Sequence, residues 1–286
     1  MNPDLNQMAL PRLLILTMVT MVAFAGNSIL CRLALRETSI DPASFTLIRL
    51  ISGALVLALL VRVTRRRETG KGNWFSAVAL FAYAALFSFA YVSLSAATGA
   101  LLLFGAVQAT MIAYGLWSGE RMSLLQTSGF LLALGGLVGL LVPGLTAPPL
   151  SGAALMIGAG VAWGVYSLRG RGDGDPLKVT ADNFLLAVPP AVVLSLFMMG
   201  DVQPDRDGIL LAMASGALAS GLGYAVWYAV LPWLEATNAA TIQLSVPVIT
   251  ALGGVALLQE PITMRLLLAS VAILGGIAIV VRVRKT

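Results

Sequence analysis

The sequence predicts an all-α integral membrane protein with ten transmembrane helices, arranged as two inverted five-helix repeats around a central cavity. The chain is 58% hydrophobic and 11% charged, with a mean hydropathy of +0.91, whereas soluble domains average about 25% charged residues. Apolar stretches of about 18 residues or more, each a candidate transmembrane helix, recur along the chain. In addition, Glu120 and Leu134-Gly135-Gly136 return 140 residues later as Glu260 and Leu274-Gly275-Gly276.

A pattern that recurs at one spacing indicates a chain of two similar halves. We place the first repeat at residues 1–145 and the second at residues 146–286, together forming one membrane domain. The continuous apolar runs predict helices, because the strands of a membrane barrel would alternate apolar and polar residues.

Ten helices are predicted, each close to the roughly 20 residues that cross the hydrocarbon core. The predicted spans are 10–34, 43–63, 73–94, 97–117, 123–142, 151–168, 179–199, 209–231, 237–258 and 263–283. Short links make consecutive helices antiparallel neighbours, and the longest link, 169–178, joins the two halves. The first apolar run is too long for a cleaved signal peptide, whose apolar core has about 7–15 residues.

Lysine and arginine residues predict the orientation of these spans. If the loop that contains Arg65, Arg66 and Arg67 is cytoplasmic, thirteen basic residues lie inside and four outside, which is a strong positive-inside bias. The four outside are Arg32, Arg36, Arg206 and Arg265. We therefore predict a multi-pass protein of a bacterial-type inner membrane with both termini in the cytoplasm.

The composition excludes several kinds of site. With no histidine and a single cysteine, Cys31, the chain cannot form an internal disulfide or a His- or Cys-based metal site. We predict no metal and no cofactor, and we interpret Cys31 as a small buried hydrophobic residue. The pI of 9.7 does not predict nucleic-acid binding, since the basic residues lie between the apolar runs.

The odd number of helices in each half has a functional consequence. The second half must enter the membrane from the opposite side, so the repeats are inverted, as is typical of secondary transporters. Substrates of such proteins bind near the midplane, between the repeats. In the middle of helix 1, Phe24 and Asn27 match two aromatic residues of helix 6 at an offset of 139 residues. The aromatic stripe of helix 3 recurs in helix 8 at an offset of 137. The predicted substrate-binding residues are Phe24, Asn27, Tyr83, Phe87, Gln108, Trp163, Tyr166, Tyr224, Trp227 and Gln243.

The chemistry of this set fits a small amphipathic zwitterion, such as an amino acid with a large side chain. Aromatic walls bind apolar groups by area and cations by the ring face. The amides of Gln108 and Gln243 need partners that lipid cannot supply, so they should face the bundle interior or a watery cavity. Pro247 frees the carbonyl of Gln243 from the helix ladder, which predicts a hinge in helix 9.

Each of these residues also has a structural interpretation. Membrane aromatic residues often only pack or form interfacial belts, and the two glutamines can form interhelical hydrogen bonds without touching a substrate. Arg49 can meet a substrate carboxylate, but we favour a structural role in which it snorkels or caps a helix. Glu120 and Glu260 precede helices 5 and 10, and helix capping explains both.

At these residues the chain resembles the drug/metabolite transporter superfamily in its ten-helix, EamA-type form, and is similar to bacterial aromatic and neutral amino-acid exporters. The resemblance rests on the five-plus-five repeat, on Pro247, and on the glycine-rich run that ends at Glu260-Pro261, with its echo at Glu120. It implies a basket in which helices 1, 3, 4, 6, 8 and 9 line a central cavity. The first half departs from the pattern, since Val107 stands where a proline would match Pro247, so helix 4 is expected to be straighter.

We therefore predict a secondary transporter that exports amino acids and related metabolites by alternating access, as a monomer or a homodimer. Export of other metabolites or of cationic drugs is the alternative within the superfamily. A membrane-embedded lipid enzyme is a weaker alternative, because the chain has no histidine and its acidic residues are scattered. The chain has no G-x-x-x-x-G-K-[ST] loop, so we predict no ATP-driven step. We also predict no nucleic-acid partner, because the basic residues lie between the apolar runs.

Overall fold

The computed structural model of the protein describes residues 10–64, 70–119, 121–144, 147–170, 174–198, 205–234 and 242–283, and these form helices and their links without any strand. The helices are α1 (Leu10–Glu37), α2 (Pro42–Thr64), α3 (Trp74–Tyr91), α4 (Ala96–Trp117), α5 (Leu124–Leu141), α6 (Leu150–Arg169), α7 (Pro176–Phe197), α8 (Arg206–Trp233), α9 (Ser245–Leu258) and α10 (Met264–Val283). Of these described helices, all except α9 are long and apolar enough to cross a membrane. The chain is therefore a multi-pass membrane protein, as predicted.

Polar residues immediately before the helices set where they begin. The side chain of Asn73 accepts a hydrogen bond from the first turn of α3, and Ser95 and Asp205 do the same for α4 and α8. Ser123 and Gln126 form a reciprocal capping box at the start of α5. Such caps satisfy amide groups that would otherwise have no partner in the first turn.

The main contacts of the first two helices are the same in both halves. Helix α1 packs against α8 and α9. Its counterpart α6 packs against α3 and α4, which are the counterparts of α8 and α9. Helix α2 packs against α7 and α8, and α7 packs against α2 and α3. Helices α5 and α10 form a pair that contacts the rest of the bundle mainly through α4. The first four helices of each half therefore build the central basket.

Glycine residues allow α5 and α10 to approach closely. A Cβ on Gly129 would lie 2.7 Å from the carbonyl oxygen of Gly276, and a Cβ on Gly136 would lie 2.8 Å from Ala272. Gly135 and Gly275, their sequence neighbours, have nothing within 4 Å of such an atom. One glycine of each Gly-Gly pair thus forms a helix contact, as small residues do in membranes.

Helix α8 is irregular where its counterpart α3 is regular. It consists of an α-helical segment (Arg206–Ala214), a π-helical segment (Ser215–Leu222), a second α-helical segment (Gly223–Val230) and a short 3₁₀-helical segment (Leu231–Trp233). Within the π-helical segment, Gly216 lies directly against the backbone of α2, where a side chain would meet Ser52 and the Arg49 carbonyl group. Helical segments of this kind are frequent at functional sites.

The ends of the helices meet at two opposite faces of the bundle. Hydrogen bonds at one face join Ser39 to Asp205, Arg36 to Leu258 and Arg265 to Val142. Hydrogen bonds at the other face join Asn73 to Asn183, Arg169 to Ser76 and Gln126 to Val280. The first group of hydrogen bonds joins links and helix ends that are predicted to be outside, and the second joins those predicted to be cytoplasmic. The alternation of the spans therefore agrees with the sequence prediction.

Candidate functional site

A cluster of aromatic rings occupies the centre of the basket. It draws rings from both halves and is connected by ring–ring contacts of 4.7–6.0 Å between centroids. We define the aromatic cluster as Phe24, Tyr83, Phe87, Tyr91, Trp163, Tyr166, Phe184, Tyr224 and Trp227. Seven of these rings belong to the predicted substrate-binding set.

Trp163 lies at the middle of the aromatic cluster. Its ring stacks on Tyr224 at 5.4 Å with an interplanar angle of 18° and on Tyr166 at 5.4 Å with an angle of 30°. The ring of Tyr83, from the other half, lies 4.8 Å away. Offset stacking of this kind contributes about 0.5–1.5 kcal/mol per pair beyond the burial of area. Trp163 is nevertheless only partly buried, so its ring borders both the cluster and open space.

A hydrogen-bonded polar group adjoins the rings. The Asn27 amide donates to the Tyr83 hydroxyl at 3.3 Å, and Ser215 donates to the Asn27 carbonyl oxygen at 2.6 Å. Arg49 donates to the same Tyr83 hydroxyl through Nη2 at 3.1 Å and to Ser220 through Nε at 3.4 Å. We call Asn27, Arg49, Tyr83, Ser215 and Ser220 the polar group. It connects α1, α2, α3 and the π-helical segment of α8.

Arg49 is among the most deeply buried side chains of the bundle. It is 1% exposed, and its guanidinium carbon lies 5.2 Å from the Tyr83 ring centroid and 5.0 Å from that of Phe87. Its Nη1 atom is buried and has no hydrogen-bond partner among the described residues. The side chain extends into the aromatic cluster rather than to the interface or to a helix end, so it neither snorkels nor caps a helix. The structural role predicted from the sequence stays a prediction.

The two predicted amides lie apart from this network. Gln108 is 6% exposed on α4 and Gln243 is partly buried ahead of α9. Neither side chain forms a hydrogen bond to any residue in the described parts of the chain. Buried amides without a protein partner require water or a ligand, so their predicted position beside a cavity stays a prediction.

The predicted hinge coincides with a break in helix 9. Residues 242 and 243 are helical, Leu244 is a turn, and α9 resumes at Ser245. Pro247 thus lies in the first turn of α9, where its missing amide hydrogen costs no helix hydrogen bond. Whether the break moves during transport stays a prediction.

Glu260 caps a different helix from the one predicted. Its Oε2 atom accepts a hydrogen bond from the backbone nitrogen of Ala96 at the start of α4, at 2.7 Å, and its Oε1 atom pairs with Arg32 at 3.0 Å. Helix α10 instead begins after Thr263, which caps it through its hydroxyl. Sequence spacing suggested a local cap, whereas the acceptor is used across the bundle. The other predicted structural charge, Glu120, lies outside the described residues.

Some residues of the site were not predicted. The ring of Phe184 in α7 contacts that of Tyr224, with 6.0 Å between the ring centroids. Ser215 and Ser220 belong to the polar group. Phe184 matches Phe45 of α2 at an offset of 139 residues, the offset that relates helix 1 to helix 6, so the repeat offered a signal for this ring. The two serines lie in the glycine- and serine-rich stretch of α8, and that composition was an available signal of close helix approach.

Comparison with known proteins fits this architecture. The family model of the EamA-like transporter family matches residues 12–142 and again residues 150–282. The chain belongs to this family. The chain is also similar to a protein of known crystal structure, with a TM-score of 0.67 and 18% sequence identity. The alignment covers 95% of this chain and 99% of that chain, so the fold is shared.

Curated relatives include one uncharacterized protein and two proteins named as exporters. An uncharacterized protein of Pseudomonas aeruginosa is 57% identical over 96% of each chain. A probable terminal-alkyne amino-acid exporter of Streptantibioticus cattleyicolor is 27% identical over 90% of this chain and 89% of its own. A threonine/homoserine exporter of Salmonella typhimurium is 29% identical over 44% of each chain. The chain is thus a transporter by family.

Proposed function

We propose that the protein is a secondary transporter that exports amino acids, aromatic and other large neutral ones foremost, across a bacterial-type inner membrane. The observation that carries the proposal is the aromatic cluster, which draws rings from both halves and adjoins a buried polar group. The named relatives that export threonine, homoserine or a terminal-alkyne amino acid support the substrate class.

An amino acid has two parts that match this arrangement. Its apolar side chain would be sandwiched between rings such as Trp163 and Tyr224, which now stack on each other and would have to separate. Its charged backbone end would meet the polar group, which already contains amide, hydroxyl and guanidinium donors. Binding would therefore combine buried apolar area with a few directed hydrogen bonds, as small-molecule sites do.

Alternating access would come from two inverted repeats. The main contacts of α1 and α2 match those of α6 and α7, their counterparts five helices away, as an internal two-fold axis would produce. The two stretches matched by the family model support the same division. Helices α8 and α9 carry a π-helical segment and a break, whereas α3 and α4 are regular. Exchange of regular and irregular forms between the halves would open the site to each side in turn.

The chemistry of the cluster disfavours cationic drugs. Aromatic faces attract cations, but the buried guanidinium of Arg49 lies among the same rings and would repel a second positive charge. The described residues near the cluster also form no arrangement suited to catalysis, and the named relatives are called transporters or exporters. We therefore propose transport without a chemical step.

Counterflow in liposomes tests the proposal. Purified protein is reconstituted into vesicles loaded with unlabelled amino acid, and entry of radiolabelled Phe, Met, Thr and Glu is followed with and without a pH gradient. We expect counterflow of Phe and Met without a gradient. The Trp163→Ala variant should reduce the Phe rate about tenfold or more, because it removes the central stacking surface.

Trp117→Ala is the matched control, since Trp117 is 87% exposed at the end of α4, outside the aromatic cluster. It should transport Phe at the wild-type rate. Equal rates in wild type and Trp163→Ala would remove the cluster as the site, and absence of counterflow for every amino acid would overturn the proposed substrate class.

A further inference from the structure

We propose that Arg49 is the residue that binds the carboxylate of the substrate, and that it restricts transport to molecules with a free carboxylate. The inference deepens the proposed function and rests on it. It concerns specificity, since a site of rings alone would accept apolar amines, amides and acids alike.

The first argument is the unbalanced charge of Arg49. The guanidinium is 1% exposed within a membrane-spanning helix, and no carboxylate of the described residues lies within ion-pair distance of it. Isolated buried charges are costly, and arginine residues inside membrane helices usually pair or mark a substrate pathway. The faces of Tyr83 and Phe87 offset part of this cost, but they supply no negative charge. A bound carboxylate would.

The second argument is a surplus of hydrogen-bond donors. Nη1 of Arg49 is buried and has no partner among the described residues. The hydroxyl oxygen of Tyr83 accepts from both Arg49 and Asn27, and its own hydrogen is donated to no residue in the described part of the chain. A carboxylate accepts hydrogen bonds and donates none. It is therefore the kind of group that this set of donors leaves room for.

The third argument is that the guanidinium is held in place. Ser220 accepts from Nε and Tyr83 accepts from Nη2, which fixes two of the three nitrogen atoms. Gly216 brings the π-helical segment of α8 directly onto the Arg49 backbone, where no side chain would fit. A planar donor held in this way binds carboxylates with little further loss of entropy. A purely structural arginine would be expected to use Nη1 as well.

Competition in the wild-type protein is the first test, since it requires no variant to fold. Counterflow of labelled Phe is measured against unlabelled Phe, phenylalaninamide and phenethylamine, which lack the carboxylate, and 3-phenylpropionate, which lacks the amine. We expect the amide and the amine to compete about 30-fold more weakly than Phe, the factor for loss of one buried charged partner. We expect 3-phenylpropionate to compete better than the amide.

Two variants then assign the effect to Arg49. In Arg49→Gln, phenylalaninamide should compete about as strongly as Phe, so that the preference ratio falls to about one. Arg49→Lys should restore part of the preference, because it restores the charge. Arg169→Gln is the control, because Arg169 also contacts an aromatic ring and hydrogen-bonds to Ser76, but at the end of the bundle. It should keep the wild-type preference. A structural arginine would lower both rates together and leave their ratio unchanged.

The outcomes separate this inference from the proposed function. Counterflow of Phe with equally strong competition by phenylalaninamide would overturn the role of Arg49 and leave amino-acid transport standing. If no amino acid is transported, binding of 3-phenylpropionate is measured through quenching of tryptophan fluorescence. Binding that Arg49→Gln abolishes would support the carboxylate site without the proposed substrate. No binding would overturn both.

Discussion

Among single residues, Glu260 makes the contacts with the clearest energetic consequence. Its carboxylate is 8% exposed and joins Arg32 of α1 to the first amide of α4, at 3.0 Å and 2.7 Å. Arg32 also donates to the carbonyl groups of Tyr91, the last residue of α3, and of Val92, which follows it. Removing one partner of a buried, hydrogen-bonded pair leaves an uncompensated charge. We expect Glu260→Gln to lower the free energy of unfolding by about 2 kcal/mol or more, measured by denaturant titration in detergent micelles.

The pair formed by Arg36 and Glu37 provides a matched control, because it lies in α1, the helix that also carries Arg32. Its N–O distance is also 3.0 Å, but its side chains are 40% and 53% exposed. Exposed pairs contribute about 0–1 kcal/mol, so Glu37→Gln should leave unfolding nearly unchanged. Equal losses in the two variants would mean that burial of the Glu260 pair has no energetic effect.

The candidate site was predictable at the residues that recur in both halves. Matching helix 1 to helix 6 and helix 3 to helix 8 selected rings that the structure brings into one cluster, with Trp163 at its centre. The true contacts of Arg49 and Glu260 were not predictable, because each depends on partners far away in the sequence. Repetition reveals depth and face, whereas side-chain pairing depends on the three-dimensional packing of the helices.

At the scale of helices, the α5–α10 pair depends on close contacts at glycine residues. A methyl group on Gly276 would meet the Gly129 carbonyl oxygen and lie 2.7 Å from the Ala133 nitrogen, whereas one on Gly275 would meet nothing within 4 Å. We expect Gly276→Ala to destabilise the protein by about 1–3 kcal/mol through overpacking. Gly275→Ala should be neutral or stabilising, since alanine favours the helix by up to about 1 kcal/mol.

Thermal unfolding followed by size-exclusion fluorescence compares these two adjacent substitutions. They share helix, depth and chemical change, so the difference between them reports the helix contact alone. The expected order would be contradicted if Gly275→Ala unfolded at the lower temperature.

Helix positions were largely predictable, and helix regularity was not. Predicted spans such as 97–117 and 151–168 differ by one residue at most at each end from α4 (Ala96–Trp117) and α6 (Leu150–Arg169). The thickness of the hydrocarbon core sets the length of an apolar run, and polar caps then fix its ends. The π-helical segment Ser215–Leu222 was not predicted, because an extra residue in a turn is a response to packing against α2 rather than a property of hydropathy.

For the whole molecule, the orientation in the membrane is the remaining prediction, and labelling from one side of the membrane tests it. The bundle has two faces, one at Pro261 and one at Lys71, and both residues are exposed. In the sequence, most basic residues lie in the links predicted to be on the same side as Lys71, which the positive-inside rule places in the cytoplasm. We therefore expect a membrane-impermeant maleimide to label Pro261→Cys in intact cells, and Lys71→Cys only after the cells are permeabilised. The natural thiol of Cys31 is 0% exposed, so the wild-type chain should remain unlabelled and serve as the control. Labelling of Lys71→Cys in intact cells would contradict this orientation and place the Pro261 face in the cytoplasm.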